Sequence, residues 1–417
     1  MDKQLSGRTN ITAMSTLTFL FFSFGFVTTM NNILIPYMQT LFSLSDTQSM
    51  LINMVWYGAY GIGSIPSSIV TEKFGYKRGM LLGLCICACG GFLYYPAALM
   101  VSYPFFLTAT FVLALGITLL QVAANPFVVE VGPHRTTAMR MNIVGTASST
   151  ARMIAPLIGS LLFLGTIKQI VPDGTVEISE AQRSSLANML QMPYISIGIA
   201  FLIVALVIAL IKLPAIQHNT QAEGTIAEAW RHRHLRYGVL AIFVYEGIEI
   251  AIPSFMVRYA TDSSILGVET TTAAKFITLY FMAMLVGRFT GIFVMKRATD
   301  RKALSWYATA GIVLVAFGLL AKGPIAIGAL ILSGLCQSVM WGNIFGLATK
   351  DLDYLTNKAT SLMLTAIAGG GIITVAMGAI ADYFGVKWAL AIMIPLYIYM
   401  IWFALSAERL RGADQED

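Results

Sequence analysis

Arg152, Glu246 and Glu249 are ionisable residues placed well inside long apolar runs. Two amides, Gln121 and Asn125, sit in "LLQVAANPFVVEVG" (Leu119 to Gly132), where no charge occurs from Leu99 to Val129. Each type suits a particular chemistry. A carboxylate can take up and release a proton, a guanidinium can pair with a carboxylate or hold an anion, and an amide both donates and accepts, as a hydroxyl-rich ligand requires. Glu246 and Glu249 are three residues apart and share one helix face. An arginine at such depth needs an acidic partner or an anionic ligand, because an uncompensated charge there costs several kcal/mol. Either glutamate is a candidate partner, and such a pair could be a static bridge or part of a mechanism. An enzyme reading has no support: nucleotide loop, metal constellation and nucleophile–base pair are all missing from the sequence. Cys85, Cys87, Cys89 and Cys336 lie in apolar runs and read as lipid- or helix-facing thiols rather than metal ligands.

These residues must be held by a membrane scaffold. Of 417 residues 57% are hydrophobic and 12% charged, with mean hydropathy +0.73; soluble chains carry about 25% charged residues. The first apolar run is of full spanning length with no small-residue cleavage site, so no secretory signal peptide is expected. Twelve runs are expected to span, near 13–39, 47–70, 79–99, 103–131, 141–164, 190–213, 237–260, 272–295, 304–321, 324–349, 361–382 and 386–407. They are about twice the length of a membrane strand and do not alternate, so each is expected to be a helix. With both termini cytoplasmic, the inner segments hold nineteen Lys and Arg and the outer segments six. That bias sets the expected orientation of a multi-pass membrane protein. The net charge of +6 is then topological and calls for no nucleic-acid partner.

Pro214 to Arg236 is the long polar inner stretch and falls after the sixth run. It divides the chain into a six-helix bundle over 1–213, a cytoplasmic linker over 214–236 and a second bundle over 237–417, the layout of a two-fold repeat transporter. "TASSTARMIAPLIGS" from Thr146 and "TAIAGGGIITVAMGA" from Thr365 share enough to suggest the repeat. The loop "SSIVTEKFGYKRG", with Glu72, Lys73, Gly75, Lys77 and Arg78, resembles a loose form of the acidic–basic–Gly–basic loop of the major facilitator superfamily and needs a tight turn at Gly75.

"NNILIP" (Asn31 to Pro36), "QVAANPF" (Gln121 to Phe127), "GPHRTTAMRMN" (from Gly132), "YEGIEIAIPSFMVRY" (from Tyr245), "GRFTG" (from Gly287) and "AIAGGGIITVAMGAIAD" (from Ala366) resemble one branch of that superfamily, the fucose–galactose–glucose:proton symporters. "ISEAQRSSLANMLQMPY" has the branch's look too, a short amphipathic helix opened by Ser179 and Gln182 as a capping box. The resemblance implies an all-α fold of twelve transmembrane helices in two pseudo-symmetric bundles, with the polar residues of the fourth span facing a sugar in a central cavity. Some positions depart from the branch. Asn32 and Gln121 stand where its members carry acids associated with proton coupling, and amides do not titrate. Gly145 and Ser148 stand at its usual amide positions in the fifth span. Glu249 matches a branch position, Glu246 and Arg152 are additions, and Arg288 resembles a structural feature.

The expected substrate site therefore comprises Asn32, Gln121, Asn125, Ser148, Arg152, Glu249, Gln337, Trp341 and Asn343, with Glu249 and Glu246 as proton carriers. Gln337 and Trp341 share a helix face at a spacing of four, where an indole could stack on a sugar. His134, His218, His232 and His234 fall in inner loops, away from coupling. The expected activity is import of a monosaccharide or sugar derivative by proton symport with alternating access, as a monomer, with no cofactor and no metal. Alternatives are a sugar acid or other small anion held by Arg152, sodium in place of the proton, an uncoupled facilitator, and multidrug export, which an amide-rich cavity disfavours.

Overall fold

The computed structural model describes residues 10–132, 137–164, 167, 170, 178–211, 224–295, 297–352 and 355–416. The first half consists of α1 (Ile11–Phe42), α2 (Asp46–Phe74), α3 (Tyr76–Leu99), α4 (Tyr103–Glu130), α5 (Thr137–Gly159, extended by a π-helical turn Ser160–Leu164), a short α6 (Glu180–Met189) and α7 (Gln191–Leu210). A six-residue α8 (Ile226–Arg231) precedes α9 (Arg233–Thr261), α10 (Thr270–Met295) and α11 (Asp300–Leu320). The last three spans are segmented: α12 (Gly323–Gln337) with α13 (Met340–Thr349), α14 (Thr356–Thr365) with α15 (Gly369–Phe384), and α16 (Val386–Ala391) with α17 (Met393–Glu416).

Hydrocarbon offers backbone groups no partner, so apolar segments close their own hydrogen bonds as helices. Among the described residues, ten helical stretches are long and apolar enough to cross a membrane. α2 and α5, with 29 and 23 residues, have spanning length and complete the twelve expected positions; at about 1.5 Å per residue even the shorter exceeds a core of about 30 Å. They are less apolar because they carry the polar residues, Asn53 and Glu72 on α2 and Arg152 on α5. Leu161, Leu206, Leu210, Phe293 and Leu320 stay exposed, as a lipid-facing surface demands.

Local signals set several boundaries. Ser45 and Gln48 form a capping box at the start of α2. Ser179 and Gln182 form the box expected for α6. Gly75 takes φ +83°, turning α2 directly into α3 as its loop requires, and Gly385 at φ +90° does the same between α15 and α16. The seventh span begins at Arg233, earlier than expected, so His234 lies in a helical first turn rather than a loop; it is buried, with a ring nitrogen 3.1 Å from the Lys350 carbonyl. His134, His218 and linker residues 214–223 lie outside the described residues.

α1, α3, α4, α5 and α7 pack chiefly on one another, as do α9 to α17, while α2 packs on both groups. Between the two groups the main contacts are α2 against α14 and α15, and α5 against α10. Close approach of α15 to both α2 and α9 depends on glycine. A Cβ on Gly369 would lie 2.0 Å from the Phe243 carbonyl oxygen, and one on Gly371 2.7 Å from Met54 Cα.

Candidate functional site

Arg152 leaves α5 toward α9, where its Nη1 lies 2.6 Å from Glu249 Oε1. This pair joins the two halves near mid-span. The Arg152 side chain is 25% exposed and that of Glu249 8%, so the guanidinium keeps some accessible surface while the carboxylate is buried. Tyr245, one turn before Glu249 on α9, donates its hydroxyl hydrogen to the same carboxylate. Glu246 is also buried and feels the charges of Arg152 and Glu249, yet it makes no hydrogen bond or ion pair among the described residues. Two carboxylates thus share one guanidinium, and one of them is paired.

α2 supplies two tyrosines beside these charges. Tyr57 and Tyr60 have ring centroids 6.4 Å apart, and both lie within the electrostatic reach of Arg152 and Glu246. From α4, Gln121 Nε2 donates to the Tyr60 hydroxyl at 2.8 Å. Among the described residues the Gln121 carbonyl and the Tyr60 hydroxyl hydrogen have no hydrogen-bond partner. Asn125, one turn further along α4, is half-buried and makes no side-chain hydrogen bond among the described residues.

The other expected residues are distributed around this centre. Asn32 is buried with no side-chain hydrogen bond among the described residues, whereas its neighbour Asn31 donates to Asn53 Oδ1 at 3.3 Å. Asn53 Nδ2 in turn donates to Ser254 Oγ at 2.8 Å, a second polar link between halves. Ser148 packs where α1 crosses α5: a Cβ on Gly25 would lie 2.5 Å from its carbonyl oxygen. Trp341 is half-buried and stacks on Phe345 at 5.2 Å. Asn343 is buried, and its Nδ2 has no partner among the described residues. Arg288 reaches Gly145 of α5, with its Nε likewise unpartnered.

Gln337 engages both ends of its amide. Its Oε1 accepts from Tyr280, its Nε2 donates to Tyr397 at 2.9 Å, and its backbone carbonyl is 3.1 Å from the Tyr245 hydroxyl. Gln337 closes α12, and the tenth span breaks at Ser338–Val339 before α13 begins. The continuous helix face expected for Gln337 and Trp341 is therefore interrupted. A break exposes backbone groups, and in a membrane protein those groups must be met by neighbours; Tyr245 is such a neighbour.

Sequence reasoning missed Tyr57, Tyr60, Tyr245, Tyr280, Asn53 and Ser254. Tyrosine in an apolar helix reads as packing, and only the spacing of four between Tyr245 and Glu249 hinted at a contact.

The halves are tied at two further levels. At the end where α2 begins, Asp382 of α15 accepts from the Asp46 and Thr47 backbone amides at 2.6 and 2.9 Å and from the Thr47 hydroxyl. There Arg258 Nε also lies 3.4 Å from Asp46 Oδ2. At the opposite end Lys358 Nζ lies 3.6 Å from Glu72 Oε1.

Comparison with known proteins agrees with this architecture. The family description "Major Facilitator Superfamily" matches residues 17–375. The chain is 36% identical to a glucose/galactose transporter of Brucella abortus over 95% of this chain and 94% of that one. It is 34% identical to the L-fucose-proton symporter of Escherichia coli over 97% and 95%. Among solved structures it is similar to the E. coli fucose:proton symporter FucP in the outward conformation, with TM-score 0.74, 33% identity and coverage of 96% and 99%. A D-xylose-proton symporter shares the fold at TM-score 0.70 and 12% identity. With its twelve helical spans, its two packed groups of helices and these relatives, the chain belongs to the major facilitator superfamily.

Proposed function

We propose that the chain imports a neutral monosaccharide by proton symport. The carrying observation is the Arg152–Glu249 pair, in which the guanidinium that an anionic cargo would need is already neutralised from the opposite half. Around it stand hydroxyl-matching groups with spare donors and acceptors: Gln121, Asn125, Tyr60 and Asn32. Relatives named for glucose, galactose and fucose support a sugar of that size.

Proton coupling rests on Glu249, with Glu246 beside it. Protonating Glu249 removes the negative partner of Arg152 and loosens the mid-span tie between halves, a change that alternating access can use. The Lys and Arg bias supports cytoplasmic termini in a bacterial inner membrane. In that orientation Asp382 and Asp46 close the outer end and Glu72–Lys358 the inner end. A monomer suffices, since the site is built within one chain.

The test is a binding panel on the purified protein with D-glucose, D-galactose, L-fucose, an amino sugar and a sugar acid, repeated in Arg152→Gln. The expected result is preference for a neutral sugar, with binding reduced but selectivity retained in the variant. Preference of the wild type for the sugar acid, lost in Arg152→Gln, would establish the anionic reading instead.

A further inference from the structure

Tyr245 has one hydroxyl hydrogen and two acceptors within reach: the Glu249 carboxylate on its own helix and the Gln337 backbone carbonyl, at 3.1 Å, on the tenth span. An ionised carboxylate is the stronger acceptor, so the hydrogen goes to Glu249 while that residue pairs with Arg152. A protonated Glu249 can instead donate its own hydrogen to the Tyr245 oxygen, because a phenol both donates and accepts. The phenolic hydrogen is then released to turn toward Gln337.

The second acceptor sits at a mechanical point. Gln337 is the last residue of α12, and Ser338–Val339 interrupts the span. The Gln337 side chain is held by Tyr280 and Tyr397, which leaves the Tyr245 contact as the element that answers to the charge on Glu249. Tyr280 also places its hydroxyl 3.2 Å from the Glu249 backbone carbonyl, so the same residues fix the distance between α9 and the break. The charged and titratable groups facing Glu249 are Arg152 of α5, Glu246 and Tyr245 of α9, Tyr57 of α2, and Tyr280 and Arg288 of α10.

We infer that Tyr245 is a positioning residue that carries the protonation state of Glu249 to the break in the tenth span. One proton then has two consequences: Arg152 loses its partner in the opposite half, and the Gln337 carbonyl gains a donor. The hydrogen count balances, since the incoming proton stays on Glu249 and the phenolic hydrogen only changes acceptor. This inference rests on the reading of Glu249 as the proton carrier.

Hydrogen–deuterium exchange of the 336–343 segment tests it, on the full-length protein in detergent at a series of pH values, corrected for intrinsic exchange. In the wild type, exchange slows as pH falls through the midpoint of pH-driven uptake. The expected change is about two- to tenfold, that of one net hydrogen bond. Glu249→Gln, whose amide donates as the protonated acid does, is expected to show the slow rate at every pH. Tyr245→Phe, which keeps the ring and loses the hydroxyl, and the double variant Tyr245→Phe/Glu249→Gln are expected to show the fast rate at every pH. A wild-type pH response persisting in Tyr245→Phe overturns the inference, as does a Glu249→Gln protein that still responds to pH. Should Tyr245→Phe fail to fold, the Glu249→Gln comparison decides alone. Failure of the underlying reading looks different: wild-type uptake would then ignore an imposed pH gradient.

Discussion

Arg152 and Glu249 meet 2.6 Å apart across the boundary between the two helical halves, one from the fifth span and one from the seventh. Each is costly in a membrane interior alone, and together they bring that cost down. The pair also makes the charge on one acid a property of both halves. Glu246, three residues away and unpaired among the described residues, shows that depth alone does not assign a partner.

If the pair is a mutual neutralisation, losing one member should hurt more than losing both. Arg152→Gln or Glu249→Gln alone is expected to lower stability by up to about 3–5 kcal/mol, because a buried charge is left uncompensated. Since Glu249 can relieve the strain by protonating, the Arg152→Gln cost should shrink at lower pH. The double variant Arg152→Gln/Glu249→Gln should recover most of the loss. Thermal unfolding followed by tryptophan fluorescence measures this cycle, and additive single effects would mean the two charges do not interact.

Gln121 and Tyr60 form one unit through their 2.8 Å hydrogen bond. Gln121→Ala and Tyr60→Phe are each expected to weaken sugar binding by roughly 0.5–1.5 kcal/mol. The double variant should lose less than the sum, as for residues in one network. Titration calorimetry with the preferred sugar checks both values. Unchanged affinity in both single variants would make these residues helix contacts only.

Asp382 caps the start of α2 with a full negative charge, accepting two backbone amides and a hydroxyl. A carboxylate at a helix N-terminus contributes about 0.3–2 kcal/mol. Asp382→Asn should therefore shift the protein toward opening at that end. In a cysteine-free background, a cysteine placed at Ser254 should react faster with an impermeant reagent in Asp382→Asn than without it. Equal labelling rates would show that this cap does not limit opening.

Much of this was legible in the sequence, for physical reasons. Apolar run length is enforced by the bilayer, so twelve spans could be placed, and the burial cost of Arg152 demanded an acidic partner or an anionic ligand. Which of Glu246 and Glu249 pairs with Arg152 was not legible, because residues three apart share a face and only the folded structure brings Glu249 to the guanidinium. The break at Ser338–Val339 left no trace either: no proline or glycine occupies those positions, and the hydroxyl that faces the break comes from Tyr245, over ninety residues away. Gly75 could be read because a turn between abutting helices demands a left-handed residue. Gly369 and Gly371 could not, since their need comes from helices distant in sequence.

Uptake into proteoliposomes under an imposed pH gradient tests proton-driven transport through Glu249. The wild type should accumulate its sugar above the external concentration when the outside is acidic. Glu249→Gln should lose that accumulation while still exchanging labelled for unlabelled sugar, because an amide keeps the shape of the site but carries no proton. Accumulation driven by the pH gradient in Glu249→Gln would rule out Glu249 as the proton carrier.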